Sequence, residues 1–248
     1  MRTLAIYNLK GGVGKTAAAV NLAALAAAQS LPTLLWDLDP QGAASWYLHA
    51  DADAPASKRV WAGQTPIGKA IQHSRYPGLD LIPADFAARH LDAWMRKEGL
   101  TRTTLQKLLK PLSESYSLIV LDCPPSLSHL ADAVFTAADL VLVPVVPTHL
   151  SLRALKALID YFKEEGYPRG NLKPFFSMAD RRRLLHRMLI EQPPKTMRDV
   201  CTAVIPYATA VERMGEHRAP LEVSEPASTA AQAYRELWAE LEPLLTAP

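Results

Sequence analysis

The chain has 248 residues, of which 49% are hydrophobic, and a formal net charge of +2. That length can bury a substantial core, while two cysteines, Cys123 and Cys201, make a disulfide framework unexpected. The first residues carry no charged segment followed by an apolar one, and no window approaches about 18 uninterrupted apolar residues. We therefore expect a cytoplasmic globular protein without a leader or a membrane-spanning helix.

The amino-terminal part predicts a strand, a loop and a helix in that order. An apolar strand at 3–8 precedes a glycine-rich segment, and the Ala/Leu-rich run 17–28 predicts a helix. Between them, Lys10–Thr16 completes a phosphate-binding loop with a second lysine at its entrance. Its glycines let backbone N–H groups approach phosphate oxygens, and the start of the helix adds free donors. The residues predicted to contact a nucleotide here are Gly11, Gly12, Val13, Gly14, Lys15, Thr16 and Ala17.

Two charged or polar side chains of this loop predict a nucleotide bound with a metal ion. Lys15 is expected to reach the β- and γ-phosphates, and Thr16 supplies the hydroxyl expected on Mg²⁺. Because Mg²⁺ prefers oxygen ligands, a carboxylate should approach from a neighbouring strand. Asp122 is the candidate, since it closes the apolar run 117–122 and is followed by a Cys-Pro-Pro segment that ends the strand.

A further strand at 33–37 also runs into acidic residues. Asp37 ends this strand and Asp39 follows two residues later. In an open parallel sheet ligands bind at the carboxyl ends of the strands, so both acids can face the Mg²⁺ shell and an attacking water. The alternative interpretation is that Asp39 and Pro40 form an ordinary turn cap.

The whole chain predicts an α/β fold with a doubly wound, mostly parallel sheet and helices on both faces. Strand-like runs alternate with helical stretches, which is typical of that architecture. The segment 51–64 lacks periodicity and is predicted to be a surface loop, and without repeats or a linker we expect one domain over residues 1–248. The predicted strands are 3–8, 33–37, 79–83, 117–122, 139–146, 173–178 and 201–205.

Basic charge is concentrated in residues 171–218, which hold nine Lys or Arg against five Asp or Glu. A helix over 181–191 would place one set of side chains on its basic side, namely Arg182, Arg183, His186 and Arg187, and an apolar set on the other, namely Leu184, Leu185, Met188 and Leu189. One interpretation is a surface for the phosphate backbone of DNA, and the other is a solvated helix face. The DNA-binding candidates are Arg182, Arg183, Arg187, Lys195, Arg198, Arg213 and Arg218.

Three segments carry a resemblance to a known family. Lys10–Thr16, Asp37–Gly42 and Leu121–Ser126 resemble the deviant Walker motifs of the ParA/MinD family of P-loop NTPases, and the likeness runs along nearly the whole chain. Within that family the chain is most similar to the small ParA-type partition and positioning ATPases. These carry no amino-terminal helix-turn-helix domain, and here the first strand begins at residue 2.

The resemblance implies roles for individual residues. Lys10 would cross to the partner subunit's phosphates in an ATP-sandwich homodimer, and Asp39 would orient the hydrolytic water. Asp37 and Asp122 would support the Mg²⁺ shell with Thr16. The residues expected beside the adenine base are Met178 and Pro206.

The resemblance also implies an activity and partners. The protein would be a slow Mg²⁺-ATPase that dimerises with ATP, binds nucleoid DNA non-specifically and is released when a cargo-linked partner protein stimulates hydrolysis. One departure concerns the Ile205-Pro206 pair, which many relatives follow with arginines and this chain follows with Tyr207 and Ala208. Any DNA contacts must therefore be distributed differently.

Three alternatives remain. A MinD-like membrane-cycling ATPase would need a basic amphipathic carboxyl-terminal helix, but from Ser228 onward the only basic residue is Arg235. An electron-transfer ATPase would need an iron–sulfur cluster between subunits, although the surroundings of Cys123 and Cys201 do not resemble those enzymes. A nucleotide-dependent scaffold without DNA binding is the third. The apolar residues of the carboxyl-terminal segment from Ser228 onward are predicted to pack in the core. These residues are Leu237, Trp238, Leu241 and Leu244.

Overall fold

The computed structural model describes residues 1–50, 57–85, 90–197 and 199–246. Within them, eight strands form one sheet in the order β3-β4-β2-β5-β1-β6-β7-β8, in which only β3 and β4 pair antiparallel. The predicted mostly parallel sheet is therefore confirmed. The strands are β1 Arg2–Ile6, β2 Thr33–Asp37, β3 Gln72–His73, β4 Leu79–Ile82, β5 Leu118–Asp122, β6 Leu140–Val145, β7 Leu172–Ala179 and β8 Val204–Pro206.

Helices cover both faces of the sheet, as the strand sequences require. Alternate residues of β1 point to opposite sides, so that Leu4 and Ile6 join one apolar cluster and Ala5 joins the other. Central strands buried on both faces read as continuous apolar runs. The helices are α1 Lys15–Ala28, α2 Ala43–Tyr47, α3 Ser57–Trp61, α4 Leu91–Lys97, α5 Thr104–Leu109, α6 His129–Ala137, α7 His149–Glu164, α8 Leu184–Glu191, α9 Thr209–His217, α10 Leu221–Ser224 and α11 Thr229–Thr246.

Several predicted boundaries are corrected by the structure. The expected surface loop at 51–64 contains α3, because Val60 and Trp61 bury their side chains in the core, while 51–56 lie outside the described residues. The strand expected at 201–205 begins only at Val204, since residues 201–203 lead into it as irregular backbone. The two-residue strand β3 was not predicted, because it is too short to carry a periodic pattern.

The carboxyl-terminal helix α11 packs on α1 and β8. Leu237, Trp238 and Leu241 are buried, as predicted. The prediction is wrong for Leu244, which is 49% exposed, because the helix turns Leu245 toward the core instead. The apolar face of this helix is thus already covered by the protein's own core.

The topology creates a crevice beside β1. This strand lies between β5 and β6. The chain continues from β1 to β2 on one side of the sheet, and from the neighbouring β6 to β7 on the other side. In open α/β sheets ligands bind at such a switch point, outside the carboxyl ends of the strands. The glycine-rich loop after β1 and Asp122 at the end of β5 both lie at this edge.

Candidate nucleotide-binding site

The phosphate-binding loop connects β1 to α1. Its entrance is anchored by Asn8, whose side chain donates to the Pro144 carbonyl at 2.7 Å and accepts from the Lys10 backbone N–H at 2.8 Å. Gly14 precedes α1 with a φ of 87°, and a Cβ built there would lie 2.9 Å from the Ser177 hydroxyl oxygen. Only glycine fits at this position, since both the backbone angle and the close approach exclude a side chain.

A cavity of about 640 Å³ opens over this loop at the carboxyl edge of the sheet. It brings together nine of the predicted nucleotide and catalytic residues: Gly11, Gly12, Gly14, Lys15, Thr16, Ala17, Asp39, Met178 and Pro206. The other lining residues are Gln41, Ala43, Tyr47, Pro125, Ser177, Ile205, Tyr207, Ala208, Val211, Glu212 and Tyr234. These residues therefore meet at one edge of the sheet, where their role in nucleotide binding remains a prediction.

Two residues of the loop lie outside the cavity lining. The Val13 side chain is 1% exposed and packs in the core, so only its backbone is available to a ligand. Lys10 is exposed and is not among the lining residues. Its ammonium group is therefore free to reach away from its own site.

Lys15 carries a buried positive charge at the centre of the site. Its side chain is 7% exposed, and its ammonium nitrogen lies 3.5 Å from the Lys10 carbonyl oxygen. Burial lowers the pKa of Lys15, while the carboxylates of Asp122 and Asp39 act in the opposite direction. A polyanionic ligand would supply the charge compensation that this group lacks.

Asp122 is the counterpart of Lys15 with opposite charge. It is fully buried, and among the described residues neither carboxyl oxygen has a partner with good hydrogen-bond geometry, although the Thr16 hydroxyl is near enough to lower its pKa. Burial raises its pKa well above the ordinary value, and the nearby Asp37 carboxylate adds to this, whereas Thr16 and Lys15 oppose it. Buried oxygens without partners fit a bound cation or its water shell.

The donor set fits Mg²⁺ held together with a phosphate ligand. Within the described residues, no three His, Cys, Asp or Glu side chains are grouped so as to hold a metal ion by themselves. Mg²⁺ sites commonly use one or two carboxylates, substrate phosphates and several waters. Thr16 and Asp122 could supply the protein's oxygens in such a site.

Asp37 is held mainly by the start of α2. One carboxyl oxygen accepts from the backbone N–H and the hydroxyl of Ser45, at 2.8 and 2.7 Å, and the other accepts from the Asp39 N–H at 3.2 Å. Burial nonetheless raises the pKa of Asp37 to about 6. Ser45 was not predicted; its signal was a serine in the first turn of a short helix that follows an Asp-Pro-Gln-Gly turn.

Asp39 projects from the loop between β2 and α2 into the cavity. Its carboxylate accepts from the Gln41 N–H at 3.0 Å, and its carbonyl accepts from the Gly42 N–H at 2.9 Å. These bonds close a turn that fixes the loop and holds Asp39 near enough to Lys15 to oppose the lowering of that lysine's pKa by burial. Asp39 is therefore part of a turn, as the alternative interpretation expected, and its carboxylate also lines the cavity.

The opposite wall of the cavity comes from β7 and β8. Met178 has a φ of 52°, and the pairing register between β7 and β8 shifts at this point. Such an irregularity re-aims a side chain, here into the cavity. Pro206 ends β8 and lines the same cavity, and its place beside an adenine base remains a prediction.

The predicted DNA-binding residues are spread over two regions. Arg182 makes two hydrogen bonds to the Asp180 carboxylate, at 2.9 and 3.1 Å, and Arg183 lies 3.6 Å from the same group. Arg187 donates to the Arg181 carbonyl at 3.2 Å. Exposed arginines therefore cluster at the start of α8, but Asp180 neutralises part of their charge.

The remaining candidates are more fully engaged or lie apart. Arg213 pairs with Glu225 at 2.7 Å. Arg218 donates to the Trp46 carbonyl at 2.9 Å, and its guanidinium lies 4.0 Å from the centre of the Trp46 ring. Lys195 is exposed, and Arg198 lies outside the described residues.

The predicted division of faces on α8 is wrong. Leu184 and Met188 are 63% and 57% exposed, next to the arginines, whereas His186 is 3% exposed. The reason is a hydrogen bond: the Asp180 backbone N–H donates to His186 Nδ1 at 3.0 Å and draws the imidazole inward. Burial lowers the pKa of His186.

The two cysteines are free and buried on opposite faces of the sheet. Cys123 and Cys201 are 1% and 2% exposed, and burial raises the pKa of both thiols. A ligand shared between subunits requires side chains that reach the surface, which neither thiol does in this structure.

Comparison with known proteins gives the family. Residues 1–167 match the family model described as AAA domain. The chromosome partitioning protein ParA of Caulobacter vibrioides is 32% identical over 253 residues, covering 97% of this chain and 94% of that protein. The chain therefore belongs to the ParA/MinD family of P-loop ATPases.

Not all relatives match over their full length. An uncharacterized protein of Pseudomonas putida is 34% identical over 164 residues; this alignment covers 65% of the present chain and 62% of that protein. A solved structure, the cobyrinic acid a,c-diamide synthase of Mycobacterium smegmatis with an ATP analogue and magnesium, superposes with a TM-score of 0.85 at 25% identity. It covers 100% of this chain and 96% of its own. The same fold therefore occurs in a chromosome partitioning protein and in a synthase, so the function of this chain must be argued from its site.

Among the described residues, none of the helices combines the length and apolar character needed to cross a bilayer.

Proposed function

We propose that residues 1–248 act as one Mg²⁺-dependent ATPase that positions or segregates a cargo by ATP-dependent dimerisation and DNA binding. The observation that carries this proposal is the meeting of Lys15, Thr16 and Asp39 in the lining of one cavity at the switch point of the sheet, with the buried Asp122 carboxyl group close enough to interact with all three. Family membership supports nucleotide and magnesium as the cofactors.

The first step is binding of ATP. The glycine-rich loop would hold the phosphates with backbone N–H groups, and the Lys15 ammonium would compensate their charge. Thr16 and Asp122 would hold Mg²⁺, which supplies charge neutralisation on the phosphate oxygens. Asp37 would stay outside the inner shell, because its oxygens are already used by Ser45 and Asp39.

The second step is hydrolysis. The Asp39 carboxylate lies on the cavity wall, where it can accept a hydrogen bond from a water aligned with the γ-phosphate. Lys10 is exposed and outside its own cavity, which supports a role across the interface of an ATP-state homodimer. A lysine supplied by a second subunit would make fast hydrolysis depend on dimerisation.

The third step is attachment to and release from nucleoid DNA. The exposed arginines at the start of α8 support non-specific phosphate contacts, with Arg183 and Arg187 less fully paired than Arg213 and Arg218. A cargo-linked partner protein that orders the Asp37–Gly42 loop or the Pro124-Pro125 segment would stimulate hydrolysis and release the dimer. Repeated binding and release would then position the cargo.

Binding to duplex DNA tests this proposal. The full chain would be measured with ATP, with ADP and without nucleotide, and the Asp39→Ala variant would hold the ATP state. We expect binding only with ATP, and weakening as salt rises. Arg183→Ala with Arg187→Ala should reduce affinity about tenfold and the salt slope by about two, whereas Lys107→Ala, an exposed change on α5, should have no effect.

The opposite outcomes are equally informative. DNA binding that does not depend on nucleotide would overturn the proposed switch. Absence of DNA binding in every state, with ATP hydrolysis intact, would favour a MinD-like membrane cycle or a protein scaffold. Anionic vesicles in place of DNA would then distinguish these two.

A further inference from the structure

The nucleotide cavity has two chemically different ends. The glycine-rich loop and Lys15 define the phosphate end, and Asp39 lies on that side. The other end is formed by the turn after β8 and the first turn of α9, where the lining is mostly apolar. Because the phosphates are fixed at the first end, the second end is left for the ribose and the base. Its lining residues are Pro206, Tyr207, Ala208, Val211 and Glu212.

Glu212 is the one charged residue among the described residues that line this end of the cavity. It lies in the first turn of α9, and Ala208, Val211 and Glu212 follow the i, i+3, i+4 spacing that puts side chains on one side of a helix. This spacing explains why all three face the same cavity. The carboxylate is exposed to solvent in part, so a ligand can reach it without rearrangement.

Tyr207 fixes the position of this carboxylate. Its hydroxyl donates to Glu212 Oε1 at 2.7 Å. The carboxylate raises the pKa of the Tyr207 phenol, which therefore keeps its proton at neutral pH and remains the donor. No other hydrogen bond to Glu212 occurs within the described part of the chain, so Oε2 is available as an acceptor.

We propose that Glu212, positioned by Tyr207, selects adenine over guanine in the bound nucleotide, an inference that rests on the proposed nucleotide-binding function. Adenine presents an amino group, a donor, at the ring position where guanine presents a carbonyl oxygen, an acceptor. A carboxylate that faces this ring position can accept from the adenine amino group but repels the guanine carbonyl oxygen, whereas a carboxylate placed lower on the same edge would accept from the N1–H of guanine. Glu212 is thus a specificity-determining residue, and Tyr207 is a positioning residue.

The test compares four triphosphates on the full chain with Mg²⁺, by calorimetric titration. ATP and GTP differ in the base, purine riboside triphosphate lacks only the amino group, and 2′-deoxy-ATP lacks a ribose hydroxyl. We expect ATP to bind about tenfold more tightly than GTP and than the purine analogue, and 2′-deoxy-ATP to bind like ATP.

Two variants assign the effect to the pair. Glu212→Gln keeps the shape but can donate to a carbonyl oxygen, so the ATP-to-GTP affinity ratio should fall about tenfold, mainly through tighter GTP binding. Tyr207→Phe removes the hydroxyl that orients the carboxylate and should lower the ratio by a smaller factor. Glu216→Gln, the same charge change one helical turn later and outside the cavity, should leave the ratio unchanged.

Three results would overturn the inference. An unchanged ATP-to-GTP ratio in Glu212→Gln, with ATP binding intact, rejects base selection and leaves the proposed function standing. If 2′-deoxy-ATP is the only one of the three analogues that binds more weakly than ATP, the carboxylate contacts the ribose instead of the base. Failure of the wild-type chain to bind any of the four nucleotides rejects both this inference and the nucleotide-binding function.

Discussion

The nucleotide cavity and the basic surface around α8 and α9 were both predicted from residue types, but the structure supports the two predictions to different degrees. At the cavity, residues from the first loop, the β2–α2 loop, β7 and β8 converge on one space. At the basic surface, the arginines are divided between two helices, and several already pair within the chain. Convergence of distant segments is thus stronger support for a function than local charge is.

The difference has a physical cause. The cavity residues stand at strand ends of a parallel sheet, so that the sheet itself brings them together and buries their charges. Exposed arginines are long and flexible, and a single nearby carboxylate such as Asp180 redirects them. A cluster of positive charge in the sequence therefore does not define a surface patch.

The largest expected effect is that of replacing Lys15. If this replacement had no effect on ATP binding, the contrast between the cavity and the basic surface would be lost. Lys15→Ala removes the buried ammonium group that faces the phosphate end of the cavity. ATP affinity should fall on the order of 100-fold, since charge-assisted contacts to two phosphates are lost. Calorimetric titration with Mg²⁺-ATP measures this. Thermal unfolding of the nucleotide-free variant controls for folding; unchanged ATP affinity would show that the cavity is not the nucleotide site.

Asp39→Ala should separate binding from chemistry. The side chain lies on the cavity wall and, within the described part of the chain, makes one hydrogen bond, which it accepts from the Gln41 N–H of its own turn. ATP affinity should therefore change little, while the single-turnover rate of hydrolysis falls about 100-fold or more. Equal losses of affinity and rate would contradict the water-orienting role and leave Asp39 as a structural turn residue.

The sequence could predict features that depend on a local pattern, and it could not predict those that depend on contacts between distant segments. Strand β2 was predicted with its observed bounds, because an apolar run closed by an acid at a sheet edge is a local pattern. Ser45, Tyr207 and Glu212 could not be assigned, since their importance depends on which side chains other elements bring near them. The orientation of α8 was wrong for the same reason: the Asp180 N–H that holds His186 inward comes from a different element.

Stability against pH sharpens the role of the buried acids. The folded protein holds protons on Asp37, with a pKa of about 6, and on Asp122 to higher pH than the unfolded chain does. The unfolded state therefore binds fewer protons from about pH 4 upward, and the free energy of unfolding of the nucleotide-free protein should fall as the pH rises through this window.

Asp122→Asn removes one member of this pair. We expect the nucleotide-free variant to gain about 1–3 kcal/mol at neutral pH relative to wild type, because the wild-type carboxyl group must either be buried as a charge or take up a proton when the chain folds. The variant should also show a flatter pH profile. Urea unfolding from pH 4 to 8 measures both. ATP binding by the Asp122→Asn variant should also no longer depend on Mg²⁺. A variant that is less stable than wild type at neutral pH would contradict the unpaired state of Asp122.

The smallest expected effect concerns the exposed leucine and methionine of α8. Leu184→Ser with Met188→Ser should change the free energy of unfolding by no more than about 0.5 kcal/mol, since both side chains already face solvent. Leu237→Ala, a buried control on α11, should cost about 2–5 kcal/mol. If the double serine variant were as destabilised as the control, this face of α8 would be covered in solution. The arginines beside it would then be part of an interface, and the contrast between a buried site and an open basic surface would no longer hold.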